Sequence, residues 1–90
     1  DVEVECDTVE QVVEVLAAGA DLVLLDNMSL DQLNRSVEVC RARGVRTEAS
    51  GGLSLDRALD VARTGVDYLS VGALTHSAPV LDLGLDLRLH

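Results

Sequence analysis

The sequence has 90 residues, which allows one domain at most and a marginal one, because short chains bury a smaller share of their surface. Its formal net charge of -9 excludes the basic patches that recruit nucleic acid or acidic membranes. Two cysteines, Cys6 and Cys40, are too few and too widely spaced for a disulfide framework or a zinc site, and read as reduced, buried thiols.

The chain opens in strand pattern at Val2 to Cys6, with no basic-then-apolar leader before it and no apolar run long enough to span a bilayer. A cytoplasmic protein is expected. Thr8 then offers a helix N-cap, and Val9, Val12, Val13 and Leu16 recur at helical spacing until Gly19. Leu22-Val23-Leu24-Leu25 follows, a short apolar run suited to a strand covered on both faces. Ser29 caps a longer helix, with Leu30, Leu33, Val37 and Cys40 on one face and Gly44 as its stop. The next strand is Val45 to Ala49. Ser54 caps a third helix, lined by Leu55, Ala58, Leu59 and Ala62 and ended by Gly65, and Tyr68 to Val71 is a fourth strand.

Two of these units are copies of each other. Thr8 to Asn27 lies over Ser54 to Ala73 without a gap, matching Thr8 with Ser54, Gly19 with Gly65 and Asp21 with Asp67. The order β-α-β-α-β-α-β with tight connections predicts parallel strands and right-handed crossovers. Glu5, Asp26, Glu48 and Ser70 stand at the strands' carboxyl ends at intervals of 21, 22 and 22 residues. One βα unit per interval predicts an α/β fold, a partial (β/α) TIM-like barrel of about four parallel units. An open Rossmann-type sheet is the alternative, and no G-x-G-x-x-G follows the first strand to support it. Leu81 to Leu89 alternates apolar and polar residues and predicts a half-buried strand outside the barrel. The expected division is 1–78 for barrel units and 79–90 for this terminal strand, with Pro79 marking the exit from the last loop.

Active sites of such barrels form at the carboxyl ends of the strands. Glu5 and Asp26 place two carboxylates there, able to hold Mg²⁺, to accept from sugar hydroxyls or to stabilise a positive sugar carbon. A structural role, Glu5 pairing an arginine and Asp26 capping the next helix, is the competing reading. Ser50-Gly51-Gly52, just before the Ser54 cap, and the small, hydroxyl-rich run Gly72-Ala73-Leu74-Thr75-His76-Ser77 form two loops suited to an oxyanion. His76 fits either a phosphate contact or a surface role.

VEVEC, GADLVLLDN, EASGG, TGVDYLSVGALTHS and LDLGLDL together resemble the carboxy-terminal portion of the quinolinate phosphoribosyltransferase family, across essentially all of the chain and in order. The resemblance implies an enzyme of NAD biosynthesis that joins quinolinate to phosphoribosyl pyrophosphate (PRPP) with Mg²⁺, giving nicotinate mononucleotide, pyrophosphate and CO₂. It implies that Glu5 and Asp26 face the ribose and metal of PRPP. Ser50, Gly51, Gly52, Gly72, Ala73 and Leu74 then bind phosphate, with His76 beside them. It also implies that the cations holding quinolinate belong to other parts of the family's fold, so that this chain alone is inactive and either forms a homo-oligomer or associates with an amino-terminal half, which the terminal strand would join. The alternatives are a ModD-type relative acting on another base, and a non-catalytic half-barrel that dimerises through its open edges.

Overall fold

The computed structural model describes residues 2–52 and 54–70, together with the backbone of 77–79. Within these, β1 (Glu3–Cys6), α1 (Val9–Ala17), β2 (Leu22–Leu25), α2 (Leu30–Ala42), β3 (Arg46–Ser50), α3 (Leu55–Ala62), β4 (Tyr68–Ser70) and β5 (Ser77–Pro79) alternate as expected up to β4. The fold is α/β. All three helix starts sit where the sequence puts them. The hydroxyls of Thr8, Ser29 and Ser54 accept from the amides of Gln11, Gln32 and Arg57, and at α2 the Gln32 side chain returns a bond to the Ser29 amide, closing a capping box.

The internal repeat is structural as well. Gly19 and Gly65 both turn the chain out of a helix with φ of 92° and 95°, a region that glycine enters without a Cβ penalty. Asp21 and Asp67 then do the same work in the two copies. Asp21 Oδ2 accepts from the Val2 amide at 2.9 Å and Asp67 Oδ2 accepts from the Thr47 amide at 2.9 Å. Each aspartate amide in turn donates to the carbonyl of that same partner, at 2.8 and 3.0 Å. Each copy thus ties the start of its strand to the strand before it.

The sheet order is β1-β2-β3-β4-β5, with β1 to β4 parallel and β5 antiparallel to β4. Sequential order rules out the Rossmann-type alternative, whose strand order reverses at a switch point. Right-handed crossovers between strands taken in sequence put every helix on one face. The burial pattern agrees. Cys6, Val23, Leu25, Thr47, Ala49 and Leu69 are buried beneath Val12 and Leu16 of α1, Leu33, Val37 and Cys40 of α2, and Ala58, Val61 and Ala62 of α3. Each fully buried Val or Leu contributes about 1.5–3 kcal/mol. The alternate strand residues, Glu3, Glu5, Leu22, Leu24, Arg46, Glu48, Ser50, Tyr68 and Ser70, are only half-buried or exposed, on the face where a barrel has its interior.

Two helix positions differ from expectation. Val13 is 51% exposed and Leu55 is 66% exposed, although both were assigned to the apolar faces. One layer of helices on a sheet buries only a narrow stripe, which in α1 holds Val12 and Leu16; Val13 lies about 100° further round. Leu55 occupies the first position of α3, before that helix's stripe begins. At the other end of the sheet, β5 was not anticipated, and the expected boundary after residue 78 falls inside it. The alternating segment 81–89 lies outside the described residues.

Candidate functional site at the strand ends

Parallel strands in register bring their carboxyl ends to one edge of the sheet. Glu5, Leu24, Glu48 and Tyr68 form a row across it, and Ser50 pairs with Ser70 one step further along. Asp26, directly after β2, is held in that layer by its amide, which donates to the Cys6 carbonyl at 3.0 Å. Glu5, Asp26, Glu48, Ser50 and Ser70 line one recess of the sheet face, and Glu5 and Asp26 share a second with Asp7, Gln11 and Asn27. The two carboxylates singled out from the sequence are therefore brought together, both exposed. Among the described residues neither takes up its competing structural role: Ser29 caps α2, and the ion pair found there is Arg63 with Asp60.

The Ser50-Gly51-Gly52 segment has a division of labour that its sequence hides. Gly51 is buried, and its amide already donates to the Ser70 carbonyl at 2.7 Å, tying β3 to β4. The Gly52 amide donates to Ser50 Oγ at 3.2 Å in a tight turn. Ser50 and Gly52 line a third recess with Asp26, Asn27, Met28 and Arg57. An arriving oxyanion can exchange with the Ser50 hydroxyl for the Gly52 amide, at the start of α3 where the helix dipole favours negative charge. Gly72, Ala73, Leu74 and His76 lie outside the described residues.

Three residues at this edge went unassigned in the sequence reading. Glu48 accepts from Ser70 Oγ at 3.0 Å, which orients a further carboxylate in the recess. Asn27 has φ 54°, a left-handed conformation uncommon outside glycine. Arg57, on the first turn of α3, reaches the recess and donates from Nη2 to the Met28 carbonyl at 3.3 Å. The strand-end spacing of Glu48 and the position of Asn27, between a strand end and the Ser29 cap, are signals the sequence carries; Arg57 has none. Arg46 stands at the amino end of β3, two residues before Glu48, and donates to Tyr68 Oη at 3.0 Å with its guanidinium 5.8 Å from the ring centroid.

Among the described residues no group of three or more His, Cys, Asp or Glu side chains is arranged to hold a metal ion. Two carboxylates at a wet recess are nevertheless a donor set that Mg²⁺ accepts, since it keeps waters and takes phosphate oxygens for its remaining positions. No helix among the described residues is long and apolar enough to cross a membrane.

The model of the family "Quinolinate phosphoribosyl transferase, C-terminal domain" matches residues 1–86. The chain is 53% identical over 87 residues to nicotinate-nucleotide pyrophosphorylase [carboxylating] of Mycobacterium leprae, covering 94% of this chain and 31% of that protein. It is 43% identical over 88 residues to the protein of the same name from Homo sapiens, covering 96% and 30%. The nicotinate-nucleotide pyrophosphorylase structure from Francisella tularensis superposes with a TM-score of 0.73 at 37% identity, over 87% of this chain and 28% of that one. The structure from Ehrlichia chaffeensis gives 0.72 at 36% identity, over 82% and 27%. The chain thus spans about a third of the length of these curated relatives, consistent with a partial barrel. The chain belongs to the quinolinate phosphoribosyl transferase family, in its C-terminal domain.

Proposed function

We propose that this chain carries the PRPP side of an active site that converts quinolinate and PRPP to nicotinate mononucleotide, pyrophosphate and CO₂, a cytoplasmic step of NAD biosynthesis. The observation that carries the reading is the convergence of Glu5 and Asp26 on shared recesses at the strand ends, beside Ser50 and Gly52. In the reaction the bond from the sugar carbon to pyrophosphate breaks as the bond to the pyridine nitrogen forms. The carbon is cationic between the two, and carboxylates aimed at it stabilise that charge more in the transition state than in the ground state.

Glu5 and Asp26 accept from the ribose hydroxyls and would hold Mg²⁺, which would supply charge neutralisation for the leaving pyrophosphate. Ser50 and Gly52 hold a phosphate at the start of α3, with Gly51 beneath them. Gly72, Ala73, Leu74 and His76 complete the phosphate side. Among the described residues this edge supplies no free pair of cations for the quinolinate dicarboxylate. Arg57 is bound to a carbonyl there, and Arg46, at the amino end of β3, is engaged with Tyr68. The chain alone is therefore inactive, and its uncovered sheet face meets the rest of the enzyme.

Calorimetric titration with Mg²⁺ and PRPP tests the reading. Binding is expected, with Glu5→Gln and Asp26→Asn each weakening it about tenfold or more, the scale of one charge-assisted contact. Unchanged affinity in both variants would sink the assignment. Robust formation of nicotinate mononucleotide by the 90-residue chain alone would instead refute its incompleteness.

A further inference from the structure

Arg57 is joined to both halves of the recess. Its backbone is fixed as the third residue of α3, where its amide donates to Ser54 Oγ at 3.1 Å. Its stem runs over Gly52, with Cγ 3.4 Å from the point a Cβ at residue 52 would occupy. Its guanidinium donates to the Met28 carbonyl, 29 residues back in the chain. It is the arginine that lines this recess among the described residues.

The carbonyl it holds belongs to a turn that needs holding. Asn27 adopts φ 54°, a left-handed conformation that asparagine enters more readily than other non-glycine residues but still less readily than glycine. On the preceding side, Asp26 is tied to Cys6 through its amide. On the following side, Met28 is 5% exposed, its Sδ accepts from the buried Ser36 hydroxyl at 3.4 Å, and Ser29 opens the capping box of α2. The Met28 carbonyl is the remaining grip on the turn, and Arg57 supplies it across the sheet from α3.

We infer that Arg57 is a positioning residue, whose guanidinium clamps the β2–α2 turn to the first turn of α3 and so fixes Asp26 relative to Ser50 and Gly52. The role concerns the same site and rests on the proposed PRPP reading for its consequence in binding, though not for the clamp itself. Seen this way, the cation is spent within the protein and does not serve as a free counter-charge for substrate.

The test is made on the complete polypeptide that carries these residues, labelled with ¹³C-methyl methionine and ¹⁵N. Met28, the single methionine of the 90 residues, reports on the turn and is assigned with Met28→Leu. Arg57→Met keeps the stem and removes the donor. Without ligand it is expected to shift the Met28 methyl and the Asn27 and Ser29 amides, and to weaken Mg²⁺–PRPP binding about fivefold, the order of one lost hydrogen bond. Arg57→Lys, which keeps a donor, is expected to restore most of both effects. Arg63→Met, a control that removes an exposed cation at the far end of α3, is expected to change neither. A weakened affinity with ligand-free turn signals unmoved would mean that Arg57 meets the anion directly, and would overturn the clamp. Turn signals that shift in Arg57→Met, in a wild-type protein that does not bind PRPP, would keep the clamp and discard the proposed function.

Discussion

Gly51 and Gly52 are adjacent and chemically identical, and the fold uses them differently. A Cβ at Gly51 would lie 3.1 Å from the Cα and Cβ of Ala58 and 3.2 Å from Leu69 Cδ1, so admitting that atom would require α3 to give by a few tenths of an ångström. Gly51→Ala is expected to destabilise the protein by about 1–3 kcal/mol, since a backbone atom must move to admit the methyl. A lowered urea midpoint checks this, and an unchanged one would show that α3 slides freely. The sequence marked the Ser-Gly-Gly segment as a place for close approach. It did not tell which glycine admits a ligand and which admits a helix, because that depends on what packs behind each. Arg57 makes the same point from a side chain. Its helical position does not tell what it meets, and only the folded turn after β2 brings a carbonyl within its reach.

At the scale of elements, local signals were sufficient. Thr8, Ser29 and Ser54 cap the helices that the periodicity predicts, and the repeated Asp21 and Asp67 make matching bonds in both copies. The caps work at short range, through orphan amides within one turn, so local sequence determines them. The aspartate bonds instead reach 19 and 20 residues back to the preceding strand. Ser29→Ala removes the acceptor for Gln32 and breaks the box at α2, and should cost about 1 kcal/mol. Thermal unfolding checks it, with Ser29→Asp expected to hold wild-type stability; equal loss in both would show that the cap contributes nothing. β5 escaped the sequence reading because three residues ending in proline carry no alternation, and their pairing is decided by the free edge of β4.

At the scale of the whole molecule, a single helix layer over a sequentially ordered sheet creates two very different faces. Both thiols lie in the layer between helices and sheet, Cys6 from β1 at 1% exposure and Cys40 from α2 at 0%. Burial pushes the Cys40 thiol up to about 11, with Cys6 and Asp67 adding to it, and raises Cys6 as well, with Asp7, Glu14 and Glu5 adding there. The folded state thus keeps these protons longer than the unfolded chain, whose thiols titrate near the ordinary 9.0. The resulting stabilisation is full below about pH 9 and is lost as pH rises toward 11. Reaction with a thiol reagent at pH 8 should be slow in the native protein and rapid for both cysteines in denaturant; fast native labelling would place the thiols outside the core.

What the sequence determined by itself was the alternation of strands and helices, their caps, the repeat and the parallel barrel-type order. It also marked Glu5, Asp26 and Ser50 as residues of one edge. Each follows from periodicity or from the constant spacing of strand ends, which survive without knowledge of distant contacts. The apolar run Leu22 to Leu25 shows where that knowledge stops. It reads as a strand covered on both faces, yet only Val23 and Leu25 meet helices, while Leu22 and Leu24 stay half-buried among the residues of the uncovered face. The tertiary structure alone decided the exposure of Val13 and Leu55, the burial of Gly51 and the grip of Arg57 on Met28. These depend on which surfaces come to face one another across the sheet, and residues far apart in the chain settle that only once they are packed.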